Sequence, residues 1–186
     1  MQNQYPWLPF ADHRSSPHFD ERPNEDDVDL LVIHNISLPA GVFGTHYVDN
    51  LFMGNIDCQA HPTFSSLDGL RVSAHCFIRR NGQVIQYVPF SKRAWHAGVS
   101  SFSGRGRCND FSIGIEMEGT DTTPYTDAQY EALVAVSKAI LAQYPDITPD
   151  RIVGHCDIAP GRKTDPGDIF DWQRYFNMLL QKSTIE

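Results

Sequence analysis

The chain is short of positive charge. Its Lys and Arg number 15 against 23 Asp and Glu, a formal net charge of −8. That excludes broad electrostatic attraction to nucleic acid or to an anionic membrane, and leaves room only for a local basic patch inside a cleft. Long apolar runs are missing as well; none approaches the length of a bilayer span. The opening residues Met1-Gln2-Asn3-Gln4-Tyr5-Pro6 carry no basic segment followed by an apolar one. No export signal is read there, and a cytoplasmic location is expected. Cysteine is sparse: Cys58, Cys76, Cys108 and Cys156 form no C-x-x-C pair. A chain of 186 residues does not need disulfide staples, so free buried thiols in a reducing compartment are expected. Repeats, low-complexity tracts and interdomain linkers are also absent, which points to a single domain over residues 1–186.

What is present reads as an α/β (α+β) domain. A polar, Pro-containing arm runs to about Asp29. The apolar run Leu30-Leu31-Val32-Ile33 ends at His34 and suits a buried strand. Residues 39–68 are rich in Gly, Pro and Asp; they predict a short helix near Thr45–Met53 and a long loop able to act as a lid. Ser73–Arg79 and Gln83–Val88 form a predicted hairpin around Arg80-Asn81-Gly82, where Asn-Gly favours a type I′ turn. Phe111–Glu118 alternates, with Phe, Ile, Ile and Met on one face and Ser112, Gly114, Glu116 and Glu118 on the other. Thr126 and Gln129 make a capping box that opens a helix ended by Pro145. Arg151–His155 predicts a strand, and Asp171 to about Gln181 a closing helix. The sum is a mixed central sheet flanked by helices against one face, with the opposite face or an edge left for chemistry.

Three segments place isolated polar residues at strand ends or in loops. They are Val32-Ile33-His34-Asn35, Gly154-His155-Cys156-Asp157 and Arg162-Lys163-Thr164-Asp165-Pro166-Gly167. Two imidazoles and one carboxylate leave a fourth tetrahedral position for water, the composition of a catalytic rather than a structural zinc site. Spacing alone leaves alternatives open. A lone His at a strand end is commonly a hydrogen-bonded structural residue, the same ligand types hold non-haem iron, and His61, His75 and His96 compete as ligands.

At these residues the sequence closely resembles the AmpD-type N-acetylmuramoyl-L-alanine amidases, within the wider amidase_2 and peptidoglycan-recognition-protein fold. The resemblance runs from Ser16-Pro17-His18 to Trp172. It is carried by Leu30 to Pro39, Val72-Ser73-Ala74-His75, Arg93-Ala94-Trp95-His96-Ala97-Gly98-Val99-Ser100, Cys108 to Glu116, Gly154 to Pro160 and Lys163-Thr164-Asp165-Pro166-Gly167. It implies one Zn2+ per chain held by His34, His155 and Asp165, with Glu116 as catalytic acid/base and Lys163 as transition-state stabiliser. Related phage amidases and animal recognition proteins have Cys as third ligand; Asp165 matches the recycling branch. The implied substrate is an anhydro-muropeptide, handled in cytoplasmic peptidoglycan recycling.

Amide hydrolysis needs a nucleophile, a place for the oxyanion and a proton for the departing amine. Glu116 shares its strand face with Glu118, the local competitor for the base role, and Gly114 between Ser112 and Glu116 signals close approach of another chain or a ligand. Trp95 offers an indole face to a sugar ring, against core packing as the plain alternative. Arg71 and Arg107 suit peptide carboxylates, and Asn35 the substrate amide. A monomer is expected, with no nucleic-acid or membrane partner. The competing readings are an amidase acting on intact peptidoglycan, a non-catalytic peptidoglycan-binding module and a non-haem iron oxygenase.

Overall fold

The computed structural model describes residues 6–181. The ends of the expected 1–186 domain, including the first residues of the N-terminal arm, lie outside them. The strands are β1 (Asp12–His13), β2 (Phe19–Glu21), β3 (Leu30–Ile36), β4 (Cys76–Ile78), β5 (Val84–Gln86), β6 (Lys92–Ala94), β7 (Ser101–Phe102), β8 (Arg105–Gly106), β9 (Ser112–Glu118) and β10 (Ile152–Gly154). The helices are α1 (Tyr47–Phe52), α2 (Asp127–Gln143), α3 (His155–Ile158) and α4 (Trp172–Leu180). Six strands form the central sheet in the order β1-β5-β4-β9-β3-β10, while β2–β6 and β7–β8 make small two-stranded sheets. The sheet is mixed: β4, β9, β3 and β10 run parallel, and β5 is antiparallel to β4.

Alternation sorts the sheet's two faces. Leu31 and Ile33 of β3 and Ile113, Ile115 and Met117 of β9 pack under α2 and α4, against Tyr130, Leu133, Ile140, Tyr175 and Leu179. α2 begins with the expected capping box: Thr126 Oγ1 accepts from Gln129 N–H at 3.1 Å, and Gln129 Oε1 accepts from Thr126 N–H at 3.1 Å. The opposite face carries a second apolar cluster, in which Val48, Leu51 and Phe52 of α1 cover Phe77, Ile85 and Tyr87. Because β3, β9 and β10 are parallel, their carboxyl ends lie together, where parallel sheets open a crevice. The register sets His34 beside Glu116 and Ile33 beside Gly154.

Several local expectations are corrected. The 79–83 turn is not type I′: of its central residues only Gly82 has positive φ, at 83°. Gly82 N–H donates to Arg79 O at 2.9 Å and Arg79 N–H to Gln83 O at 2.9 Å, the three-residue hairpin in which a left-handed Gly follows an ordinary turn. β10 stops at Gly154, and His155 opens α3 instead of ending a strand, because the Asp157 carboxylate accepts from Gly154 N–H at 2.7 Å and turns the chain. Helices lie on both faces instead of one, and Phe111, which precedes β9, packs with Leu30, Val32 and Ile158 of α3 on the face opposite α2 and α4. In residues 39–68 the expected short helix stands, and the loop expected after it is partly regular. The segment carries α1 and a 3-10 helix at Pro62–Leu67, with Phe64 fully buried. All four thiols are free, but only Cys76 and Cys108 are buried.

Candidate active site

His34 comes from β3, His155 from the first residue of α3 and Asp165 from the loop beyond it. That loop is tied back by Cys156 N–H donating to Asp165 O at 3.0 Å. Gly154 is required beneath it, since a Cβ there would come within 2.8 Å of the Pro166 ring. His34 Nδ1 lies 2.9 Å from His155 Nδ1 and 3.2 Å from Asp165 Oδ2, and His155 Nδ1 lies 3.0 Å from the same oxygen. The far ring nitrogens are tied elsewhere. His155 Nε2 meets Ala97 O at 3.1 Å, and His34 Nε2 meets His96 Nδ1 at 2.8 Å. With those Nε2 atoms donating, both Nδ1 lone pairs converge on a carboxylate oxygen. Three acceptors so placed call for a cation, and the N, N, O set suits zinc with a position left over. Among the described residues, this is the one group of three or more His, Cys, Asp or Glu whose ligand atoms gather this closely.

Electrostatics agree with that placement. Burial pushes the His34 ring down to about 4, hydrogen bonding to Asp165 opposing it only in part, so the imidazole is neutral at physiological pH. Burial alone would raise the Asp165 carboxyl, but at low pH, where the His155 and His34 rings are protonated, their hydrogen bonds and charges outweigh it and hold it below the usual carboxylate range. Burial drives the Glu116 carboxyl well above its ordinary value; the Asp165 charge adds to this and Lys163 opposes it. Glu116 Oε2 is a shielded carboxylate oxygen with no hydrogen-bond partner. Such an atom is costly unless a ligand or water answers it.

These residues share a cavity of about 230 Å3 that holds Glu116, His155, Lys163, Asp165, Asn35 and Trp95. One wall is apolar, built from Leu51, Phe52, Leu67 and Leu70 of the 39–72 segment with Leu38 and Val72. Lys163 is exposed at the cavity. Asn35 donates from Nδ2 to Asp121 Oδ1 at 2.8 Å, and Thr164 donates to the other Asp121 oxygen at 2.5 Å. Asp121 thus fastens the end of β3 to the Asp165 loop. It escaped the sequence reading because a turn aspartate carries no periodic signal. Trp95 is half-buried, stacked on His18 with ring centroids 6.0 Å apart, and its indole N–H donates to Asp20 at 3.0 Å.

Two expected substrate residues are not brought into this cavity. Arg71 is exposed over a neighbouring hollow that shares Leu67 and Leu70 with it. Arg107 is exposed, has φ 63°, and pairs with Asp110 at 3.1 Å. Glu118 is committed to structure, accepting from Gly44 N–H at 2.6 Å and Arg80 N–H at 2.9 Å. Of the competing histidines, His61 caps the 3-10 helix and His75 binds Gly114 N–H and Lys92 O. The close approach signalled by Gly114 is that of His96, whose ring a Cβ would overlap. A larger cavity of about 520 Å3 lies around Arg14, Arg79, Arg80 and Glu118. Its carboxylates are already hydrogen-bonded by Tyr87, Arg79 and backbone amides, so it lacks the convergent unanswered groups of the smaller one.

A crevice at the carboxyl ends of parallel strands, with two imidazoles and a carboxylate facing an unpartnered glutamate, is the setting of a metal-assisted hydrolase. The chain belongs to the N-acetylmuramoyl-L-alanine amidase family, Amidase_2, whose pattern matches residues 24–168. It is 61% identical over 178 residues to the 1,6-anhydro-N-acetylmuramyl-L-alanine amidase AmpD of Escherichia coli (strain K12), covering 96% of each chain. A crystal structure of a selenomethionine AmpD derivative superposes with a TM-score of 0.92 at 57% identity, over 96% of this chain and 99% of that one. The E. coli amidase AmiD, solved with anhydro-N-acetylmuramic acid-L-Ala-D-gamma-Glu-L-Lys, superposes with a TM-score of 0.60 at 33% identity, over 82% of this chain and 57% of that one.

Proposed function

We propose that the protein is a zinc-dependent amidase that hydrolyses the amide between the lactyl group of 1,6-anhydro-N-acetylmuramic acid and L-alanine in soluble muropeptides. It does so as a cytoplasmic monomer in peptidoglycan recycling. The observation that carries this reading is the convergence of His34 Nδ1, His155 Nδ1 and Asp165 Oδ2 beside the unanswered Glu116 Oε2. Those three residues would hold the zinc. Zinc supplies Lewis acidity there, polarising the scissile carbonyl and bringing the pKa of water down to about 7.

The chain's own residues complete the reaction. Glu116 takes a proton from the attacking water and returns it to the alanine nitrogen as the C–N bond breaks, leaving a lactyl carboxylate and a free amine. A carboxyl raised by burial holds a proton more readily than a solvated one, which suits a group that must accept a proton and then give it up. The Lys163 ammonium stands at the groove to hold the developing oxyanion. Asn35, its amide NH2 held by Asp121, keeps its carbonyl oxygen for the substrate N–H. Trp95 and the apolar wall receive the anhydro-sugar. Arg71 and Arg107, outside the groove, are reached by the carboxylates of a longer stem peptide.

The test is mass spectrometry of products from anhydro-muropeptide and from intact wall, with metal analysis of the purified protein. One zinc per chain, loss of activity on chelation, recovery with zinc, and strong preference for the soluble fragment are expected. Comparable cleavage of polymer would favour the lytic amidase. Iron as the resident metal, or full activity without metal, would overturn the mechanism.

A further inference from the structure

The imidazole of His96 is nearly enclosed, yet it makes no contact with Asp165 or Glu116 through a hydrogen bond. It lies edge-on to His34, the rings 4.9 Å apart at 87°. His34 Nε2 is 2.8 Å from His96 Nδ1, and His96 Nε2 is 3.1 Å from Ser112 Oγ. The ring is set firmly. The Asn109 side-chain oxygen accepts from both His96 N–H at 3.1 Å and Ala97 N–H at 2.8 Å. Gly114, without a Cβ, opens the space the ring fills on β9.

We infer that His96 is a positioning residue, which together with Ser112 fixes the tautomer and tilt of His34 so that Nδ1 presents its lone pair to the metal. The inference rests on the zinc reading above, and its direction follows from proton counting. A metal-ligating His34 has no proton on Nδ1, so Nε2 carries it and must donate. Among the described residues, the acceptor in reach is His96 Nδ1. His96 then carries its own proton on Nε2, and Ser112 Oγ accepts it. The other metal histidine donates to a backbone carbonyl, Ala97 O, which can only accept. His34 instead leans on a ring that could hold either tautomer, and the Ser112 hydroxyl, able to accept as well as donate, answers the Nε2–H of the one in which His96 Nδ1 accepts. A ligand whose second nitrogen is oriented this way typically loses 10–100-fold in metal affinity when that partner is removed.

The experiment measures the zinc dissociation constant by competition with a chromophoric chelator for wild type, His96→Leu, His96→Asn and Ser112→Ala. Long-range 1H–15N NMR of the zinc-loaded wild type reads the His34 tautomer. His96→Leu keeps the volume without an acceptor and is expected to weaken zinc about 10–100-fold. His96→Asn places an amide oxygen where Nδ1 stood and should recover most of that loss, which a merely space-filling role would not allow. Ser112→Ala should show a smaller loss of the same sign. A His96→Leu chain that binds zinc as wild type does, or a zinc-loaded wild type whose His34 Nε2 bears no proton, overturns the inference while leaving the metal site standing. A wild type that takes up no zinc overturns both. Should His96→Leu fail to fold, the His96→Asn affinity and the wild-type tautomer still decide.

Discussion

Glu116 and Glu118 stand two residues apart on one face of β9 and are put to opposite uses. Glu118 is saturated by two backbone amides and the Arg79 guanidinium. Glu116 keeps an oxygen that nothing answers. Glu116→Gln should therefore retain zinc and lose roughly 10²–10⁴-fold in turnover, the range of a lost general acid–base. Glu118→Ala should spare turnover far better but destabilise the fold by about 1–3 kcal/mol for each buried donor stranded. Steady-state kinetics and urea unfolding on both variants check the pair, and a reversed order would assign the base wrongly. Lys163→Ala should keep zinc and substrate affinity while turnover falls roughly 10²–10³-fold, as for one lost oxyanion donor; a pure rise in KM would make Lys163 a binding residue instead. Glu116 also carries a pH signature. A carboxyl raised above its ordinary 4.5 stays protonated in the folded chain after the unfolded chain has lost the proton. Its contribution to stability is full below that value and is lost as pH rises toward the folded pKa. In metal-free protein, Glu116→Gln should melt higher than wild type at about pH 7, and the gap should close by about pH 4.

At the level of elements, what is local in sequence was legible and what depends on a distant partner was not. The capping box at Thr126 and Gln129 and the alternation of β9 are encoded within a few residues, and both stand in the fold. The Ser112, Gly114, Glu116, Glu118 face is polar by alternation yet covered, because His96 lies over its first half and the 79–80 turn with Gly44 over its end. Those partners lie 16 to 74 residues away, beyond any periodic window. His155 is a different case: whether a strand ends in a histidine or a helix starts with one turns on the Asp157 cap to Gly154 N–H, a local contact that competes with the strand signal of the preceding apolar residues. In the 39–68 segment the expected short helix stands as α1, but that its Leu51 and Phe52 cover the sheet's second face and wall the cavity depends on distant partners. Gly114→Ala tests the coverage of β9. Its Cβ would overlap the His96 ring, and overpacking a buried site costs about 1–3 kcal/mol. Urea unfolding should show that loss; a change below about 0.5 kcal/mol would mean the ring yields without strain.

Over the whole molecule, the site's polar groups were identifiable as residue types from the sequence, but their protonation was not, since that is set by burial. Three histidines from three parts of the chain meet edge to face in the buried site: His34 and His96 at 4.9 Å, His96 and His75 at 5.8 Å between ring centroids. Burial holds His34 down to about 4 and His75 to about 3, with the Arg22 charge adding to the latter, and keeps His96 well below its ordinary 6.5. In the unfolded chain all three take up a proton as pH falls through 6.5; in the folded chain they do not. The unfolded state then binds more protons, so stability is present above that value and declines as pH falls toward the folded pKa values. Glu116 works in the opposite direction from its ordinary 4.5 upward, leaving the three histidines against one carboxyl. The metal-free protein should accordingly lose stability between about pH 6.5 and pH 4.5, each histidine contributing up to about 1.4 kcal/mol per pH unit. Urea unfolding at a series of pH values measures the slope. His75→Asn, which removes none of the proposed ligands, should flatten it by close to one proton whatever it does to stability at neutral pH. An unchanged slope in that variant would show that His75 is already charged in the folded chain, and that the histidine cluster is held by something other than burial.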